Sequence, residues 1–131
     1  VWTREEEEFD AGGPEAAVQA VLAAWTLPDA PAELRERVAA MQRRVYELED
    51  LDLPQPTDPL EKDPAALQAL TIPTLILAGE HDMVDFTAGA DQLAAAIPDS
   101  RLSVIRGAGH LAPLETPEEF RELVISFLNE A

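Results

Sequence analysis

The run Thr74-Leu75-Ile76-Leu77-Ala78 is the feature that most narrows what this chain can become. Five residues, almost all apolar, follow a proline and stop at Gly79, a pattern that predicts a strand covered on both faces, as parallel strands are. Glu80-His81-Asp82 follow at its tip. Phe86, Ala90, Leu93 and Ile97 then recur at the spacing of one helix face, and Pro98-Asp99-Ser100 turns the chain. Leu102-Ser103-Val104-Ile105 predicts a second strand. A strand, a helix and a strand in this length form a βαβ unit, whose crossover is right-handed.

Parallel strands open their C-terminal ends onto one edge of the sheet, where α/β proteins place their chemistry. Asp82 and His110 each fall just past a strand end, and Gly107-Ala108-Gly109 frees the backbone before His110 to turn sharply. A histidine base must be held in one tautomer, and a carboxylate accepting its second N–H does this. Asp82 and His110 are therefore candidates for two of the three members of a nucleophile–histidine–acid triad. The plainer alternatives are an Asx turn or helix cap for Asp82 and a backbone hydrogen bond for His110. Asp85 and Glu80 stand as fallback acids, and His81 as an exposed neighbour.

Ahead of this unit the chain reads as helical. Residues 3–10, TREEEEFD, suit a polar helix with Thr3 as N-cap and a solvated acidic face, broken at Gly12-Gly13-Pro14. Val18, Val21, Leu22 and Trp25 form one apolar stripe. Leu34, Val38, Met41, Val45 and Leu48 form a second over about 31–49, spaced for packing on another helix. Asp50 to Pro64 is a proline-rich linker, followed by a short helix to Leu70 with Asp63 as its cap. At the far end, Thr116-Pro117-Glu118-Glu119 is a helix start with a capping box, leading into a stripe of Phe120, Leu123, Val124 and Phe127.

Charge and composition remove several function classes. A formal net charge of −17 repels phosphate backbones and anionic lipids, so neither nucleic acid nor membrane is expected as a partner. No apolar run approaches the roughly 20 residues that span a bilayer. With no cysteine, two histidines and no HExxH pattern, no metal or other cofactor is expected. No signal peptide is visible and a cytoplasmic location is expected, with export left open because the chain starts at Val1-Trp2 without an initiator methionine. That start suggests a piece of a longer polypeptide.

The run IPTLILAGEHD, then a helix, a strand and GAGHLAPLETPEEF with a closing amphipathic helix, resembles the C-terminal part of an α/β-hydrolase. The resemblance implies an α/β fold class: a partial α/β-hydrolase in which a helical lid (residues 1–58) precedes a βαβα unit with two parallel strands (residues 59–131). It implies that Asp82 is the triad acid and His110 the catalytic base, in the family's order of nucleophile, acid and histidine. Met83, Val84 and Leu111 beside them, with Trp25, are candidate substrate-binding residues. Met41 and Tyr46 are further candidates under the lid, although helix packing is the expected role of Trp25 and Met41.

The family's nucleophile sits in a G-x-S-x-G elbow, and here the sequence departs from the pattern. Its serines are Ser100 in a turn, Ser103 in a strand and Ser126 in a helix, none flanked by those glycines. The chain alone is expected to be inactive. A two-stranded unit is also marginal by itself, so the expected partner is a missing N-terminal half of the same hydrolase or a strand-exchanged second copy. The reading is a serine esterase or lactonase acting on a small ester-like substrate. An aspartate nucleophile would instead make it a dehalogenase or epoxide hydrolase. The competing class is a non-catalytic acidic helical binding module.

Overall fold

Gly13 divides the first helix. In the computed structural model, which describes residues 2–48 and 64–130, α1 runs from Trp2 to Trp25 and is helical throughout except at Gly13 (φ 77°, ψ −171°). Glycine alone enters that backbone region freely, and Pro14 directly behind it restarts the helix where its missing N–H costs nothing. The break expected from the sequence is therefore present. Thr3 is already inside the helix that starts at Trp2 and is not its N-cap.

The described residues group into two units, Val1–Pro54 and Gln55–Ala131. In the first, α1 packs on α2 (Ala32–Leu48). Ala17, Val18, Val21 and Leu22 are buried on α1, as are Val38 and Ala39 on α2. Each fully buried valine or leucine stabilises by about 1.5–3 kcal/mol. At the connection between the helices, the buried Thr26 hydroxyl donates to the Leu22 carbonyl and accepts from Arg35 Nη1, both at 2.6 Å. Trp25 is half-buried at the end of the α1 stripe.

Polar links complete the pair. The Arg43 guanidinium reaches both carboxylate oxygens of Glu15, at 3.0 and 2.9 Å, and holds that carboxyl below the usual carboxylate range. Glu5, read from sequence as part of a solvated face, accepts from the Tyr46 hydroxyl at 2.6 Å and from Gln42 at 3.2 Å. Phe9 meets the Tyr46 ring edge-on, with centroids 5.3 Å apart. The stripe expected along α2 is buried only in its first half. Met41 is 55% exposed, and Val45 and Leu48 are exposed as well.

The proline-rich linker and the boundary expected after residue 58 lie outside the described residues, as does Asp63. Pro64 opens α3 (Pro64–Gln68). The second unit is built on β1 (Thr74–Gly79) and β2 (Ser100–Ile105), paired in parallel from Thr74 opposite Ser100 to Gly79 opposite Ile105. The helix α4 (Val84–Ala96) connects them. A four-residue helix, α5 (Ala112–Glu115), and α6 (Pro117–Glu130) follow. Strand alternation sends Ile76 and Ala78 to a cluster with Ala90 of α4. Ile105 joins Ala108 and Ala112 in a second cluster, covered by Leu77, Phe120 and Leu123. Residues on both faces of β1 thus meet apolar neighbours, but Leu75 and Leu77 are only half-buried and Val104 of β2 is 55% exposed, so the burial on both faces expected of the strands is incomplete.

Ser100 begins β2 and is not a turn residue. Parallel pairing carries the strand two residues further back, and the Ser100 hydroxyl donates to the carbonyls of Ala94 and Ile97 at the end of α4. Thr116 closes α5, its hydroxyl donating to the Ala112 carbonyl at 3.2 Å, and α6 starts at the next residue. Among the described residues no helix is long and apolar enough to cross a membrane.

Candidate active site

Pairing between the two strands continues past their last residues. The Glu80 amide donates to the Ile105 carbonyl and the His81 amide to the Ala108 carbonyl, each at 2.9 Å. The Glu80 carboxylate in turn accepts from the Gly107 amide at 2.9 Å. This zipper draws the acidic loop and the glycine loop together, and it requires Gly79. A Cβ there would stand 2.6 Å from the Ala108 carbonyl oxygen and closer still to that of Gly109. The glycine is the close-approach residue that lets the second loop cross the tip of the first strand.

At the end of the zipper the Asp82 oxygens lie 3.0 and 3.1 Å from His110 Nδ1. The Asp82 side chain is 8% exposed and that of His110 28%, so the pair is shielded on the acid side and open on the imidazole side. Asp82 Oδ1 also accepts from the Met83 amide at 2.7 Å, which fixes the carboxylate plane. For Nδ1 to donate, the proton must reside there, which makes Nε2 the nitrogen not engaged by Asp82 and the one suited to proton exchange. Should Nε2 gain a proton, the buried carboxylate would stabilise the imidazolium through a charge-assisted bond.

The Phe86 ring packs on the imidazole, with centroids 4.3 Å apart and planes inclined by 54°. A cleft of about 430 Å³ begins at this pair and runs along the open edge of β1. Its walls include Ile76 and Leu77, Phe86 and Leu93 of α4, and Pro113 and Phe120 on the other side.

Asp82 and His110, singled out on sequence, are thus brought into direct contact. Of the fallback acids, Glu80 turns to the Gly107 amide, and Asp85 is exposed in the first turn of α4. His81 is 55% exposed, with Nε2 3.8 Å from Glu80. Met83 and Leu111 are half-buried and Val84 is exposed; none of the three is among the residues lining the cleft. Trp25 belongs to the helical unit. Sequence reasoning had Phe86 only as a helix-stripe residue and assigned Glu115 no part. The position of Phe86 four residues after Asp82, in the first helical turn, was the available signal for its place beside the pair.

Comparison with known proteins identifies the family. The sequence model described as "Alpha/beta hydrolase family" matches residues 4–123. The chain is 44% identical over 66 residues to polyketide synthase ThaQ of Burkholderia thailandensis, covering 50% of this chain and 3% of that protein. It is 36% identical over 62 residues to monoacylglycerol lipase ABHD6 of Rattus norvegicus, covering 47% and 18%. A solved thermophilic esterase is similar with a TM-score of 0.73 and 31% identity, over 99% of this chain and 51% of that one. The chain therefore spans about half the length of that esterase, and its match to the two curated relatives covers a smaller part of each.

Proposed function

This chain belongs to the alpha/beta hydrolase family, and on that premise we propose that it supplies the lid and the acid–histidine half of a serine carboxylic-ester hydrolase or lactonase. The observation that carries the reading is the 3.0 Å contact between Asp82 and His110 Nδ1 at adjacent strand tips. The relatives described as lipase and esterase support ester chemistry.

In this reading His110 Nε2 takes the proton of an attacking serine hydroxyl as it adds to the ester carbonyl. It returns that proton to the leaving alcohol as the tetrahedral intermediate collapses. Asp82 holds the ring and stabilises its cationic form. Water then attacks the acyl-enzyme by the same route. The serine comes from polypeptide outside this sequence. Ser100 is tied to the end of α4 and the Ser126 hydroxyl donates to Glu130 at 2.8 Å, while Ser103 lies within β2. In this reading the chain by itself is inactive.

The partner is the upstream half of the same hydrolase, adding a strand to the open edge of β1. Among the described residues no further strand pairs with that edge, which borders an apolar cleft. The esterase of twice the length supports this occupant over a second copy of the chain.

The test is hydrolysis of a p-nitrophenyl ester by the chain joined to its nucleophile-bearing half. His110→Ala should reduce kcat at least about a thousandfold with the fold intact. Unchanged turnover would remove His110 from the mechanism and favour a non-catalytic binding role.

A further inference from the structure

We propose that Glu115 is a positioning residue for His110, an inference that rests on the catalytic reading of His110 above. Glu115 ends the short helix α5, and its Oε2 accepts from the Gly109 amide at 2.8 Å. The carbonyl of the same peptide unit, that of Ala108, accepts from the His81 amide at 2.9 Å. Both ends of the Ala108–Gly109 peptide plane are thus pinned, one by the acid loop and one by Glu115. Only Gly109 stands between this plane and His110.

Ala108 is fixed in the core, whereas Gly109 has no Cβ to resist rotation about its own backbone bonds. Net rotation about the Gly109 backbone bonds, which holding its amide restrains, would redirect the His110 Cα–Cβ bond and carry Nδ1 away from Asp82. The carboxylate at residue 115 opposes that rotation with a charge-assisted bond to the amide.

The other carboxylate oxygen makes the case sharper. Glu115 Oε1 is shielded from solvent and has no hydrogen-bond partner among the described residues. A shielded acceptor without a donor is unfavourable, and a methionine of similar volume would fill the space without that cost. Holding the Gly109 amide is what a methionine could not do.

The test is nitrogen-15 NMR of the full chain, reading the His110 Nδ1–H resonance that the bond to Asp82 creates, with exposed His81 as internal reference. Glu115→Met should abolish or displace that resonance and leave His81 unmoved. Glu115→Gln, which still presents an oxygen to Gly109, should restore it. A Met variant that keeps the resonance, or a Gln variant that loses it, overturns the proposal. If Glu115→Met does not fold, hydrogen exchange of the wild-type Gly109 amide decides. Slow exchange supports the bond, and exchange as fast as that of an open loop glycine overturns it. A wild-type chain without the Nδ1–H resonance would remove the Asp82–His110 pair itself, and this inference with it.

Discussion

Both carboxylate oxygens of Asp82 stand within 3.1 Å of a single nitrogen of His110, although 28 residues separate the two in sequence. Parallel strands bring them together, since register from Thr74–Ser100 to Gly79–Ile105 carries both loops off the same edge. The acid side chain is then buried and that of the imidazole 28% exposed, an arrangement in which the carboxylate sets the orientation of the ring.

Replacing Asp82 by asparagine tests whether charge and tautomer matter here. An asparagine amide can donate to Nδ1 and thereby place the imidazole proton on Nε2. In the completed hydrolase, Asp82→Asn should lower kcat by roughly ten-thousandfold with little change in KM. Steady-state kinetics with a circular-dichroism melt as control checks this. A loss below tenfold would mean that Asp82 does not orient the base.

Gly79→Ala should damage the site through the backbone. The added methyl would fall against the carbonyls of Ala108 and Gly109, the first of which is held by the His81 amide and cannot yield freely. Overpacking of this kind costs about 1–3 kcal/mol or more. Urea unfolding should show that loss, and the His110 Nδ1–H signal should weaken. Stability equal to the unsubstituted chain would show that the loops do not need this close approach.

Thr26→Val probes the helical unit. The substitution keeps the shape but removes the hydroxyl that links Arg35 Nη1 to the Leu22 carbonyl. Loss of that bridge should destabilise by about 1–3 kcal/mol. Trp25 fluorescence during urea unfolding reports it, and an unchanged midpoint would place the stability of the connection elsewhere.

The Glu15–Arg43 link sets a pH dependence whose sign follows from the shift. The hydrogen bond from Arg43 holds the folded-state pKa of Glu15 below the ordinary glutamate value of 4.5. The unfolded chain therefore takes up the proton first as pH falls, and the link stabilises above about 4.5. Its contribution fades as pH drops through the lowered folded value. Wild type should exceed Glu15→Gln in thermal midpoint at pH 7, and the difference should vanish at strongly acidic pH. Both side chains are partly solvated, so added salt should shrink it too. A difference independent of pH would contradict the link.

The parts that were legible in the sequence are those written in patterns. A strand buried on both faces has to be continuously apolar, so residues 74–78 announced β1. Its tip and the glycine-flanked His110 announced the pair. Ser100 was misplaced because Pro98-Asp99 supplies turn chemistry whether or not pairing resumes at the next residue. The stripe of α2 was continuous in sequence, but burial depends on what lies opposite, and Met41 faces solvent. The helix α5 is too short to show a period. Glu115 works on a backbone amide, a contact that leaves no trace in residue spacing.

The central claim is that His110 activates a serine this chain does not contain. Labelling the completed hydrolase with a fluorophosphonate, followed by peptide mass mapping, tests it most directly. The account predicts one modified serine, located in the complementing half, with labelling lost in His110→Ala. Adducts on Ser100, Ser103 or Ser126, or labelling that persists without His110, would contradict it.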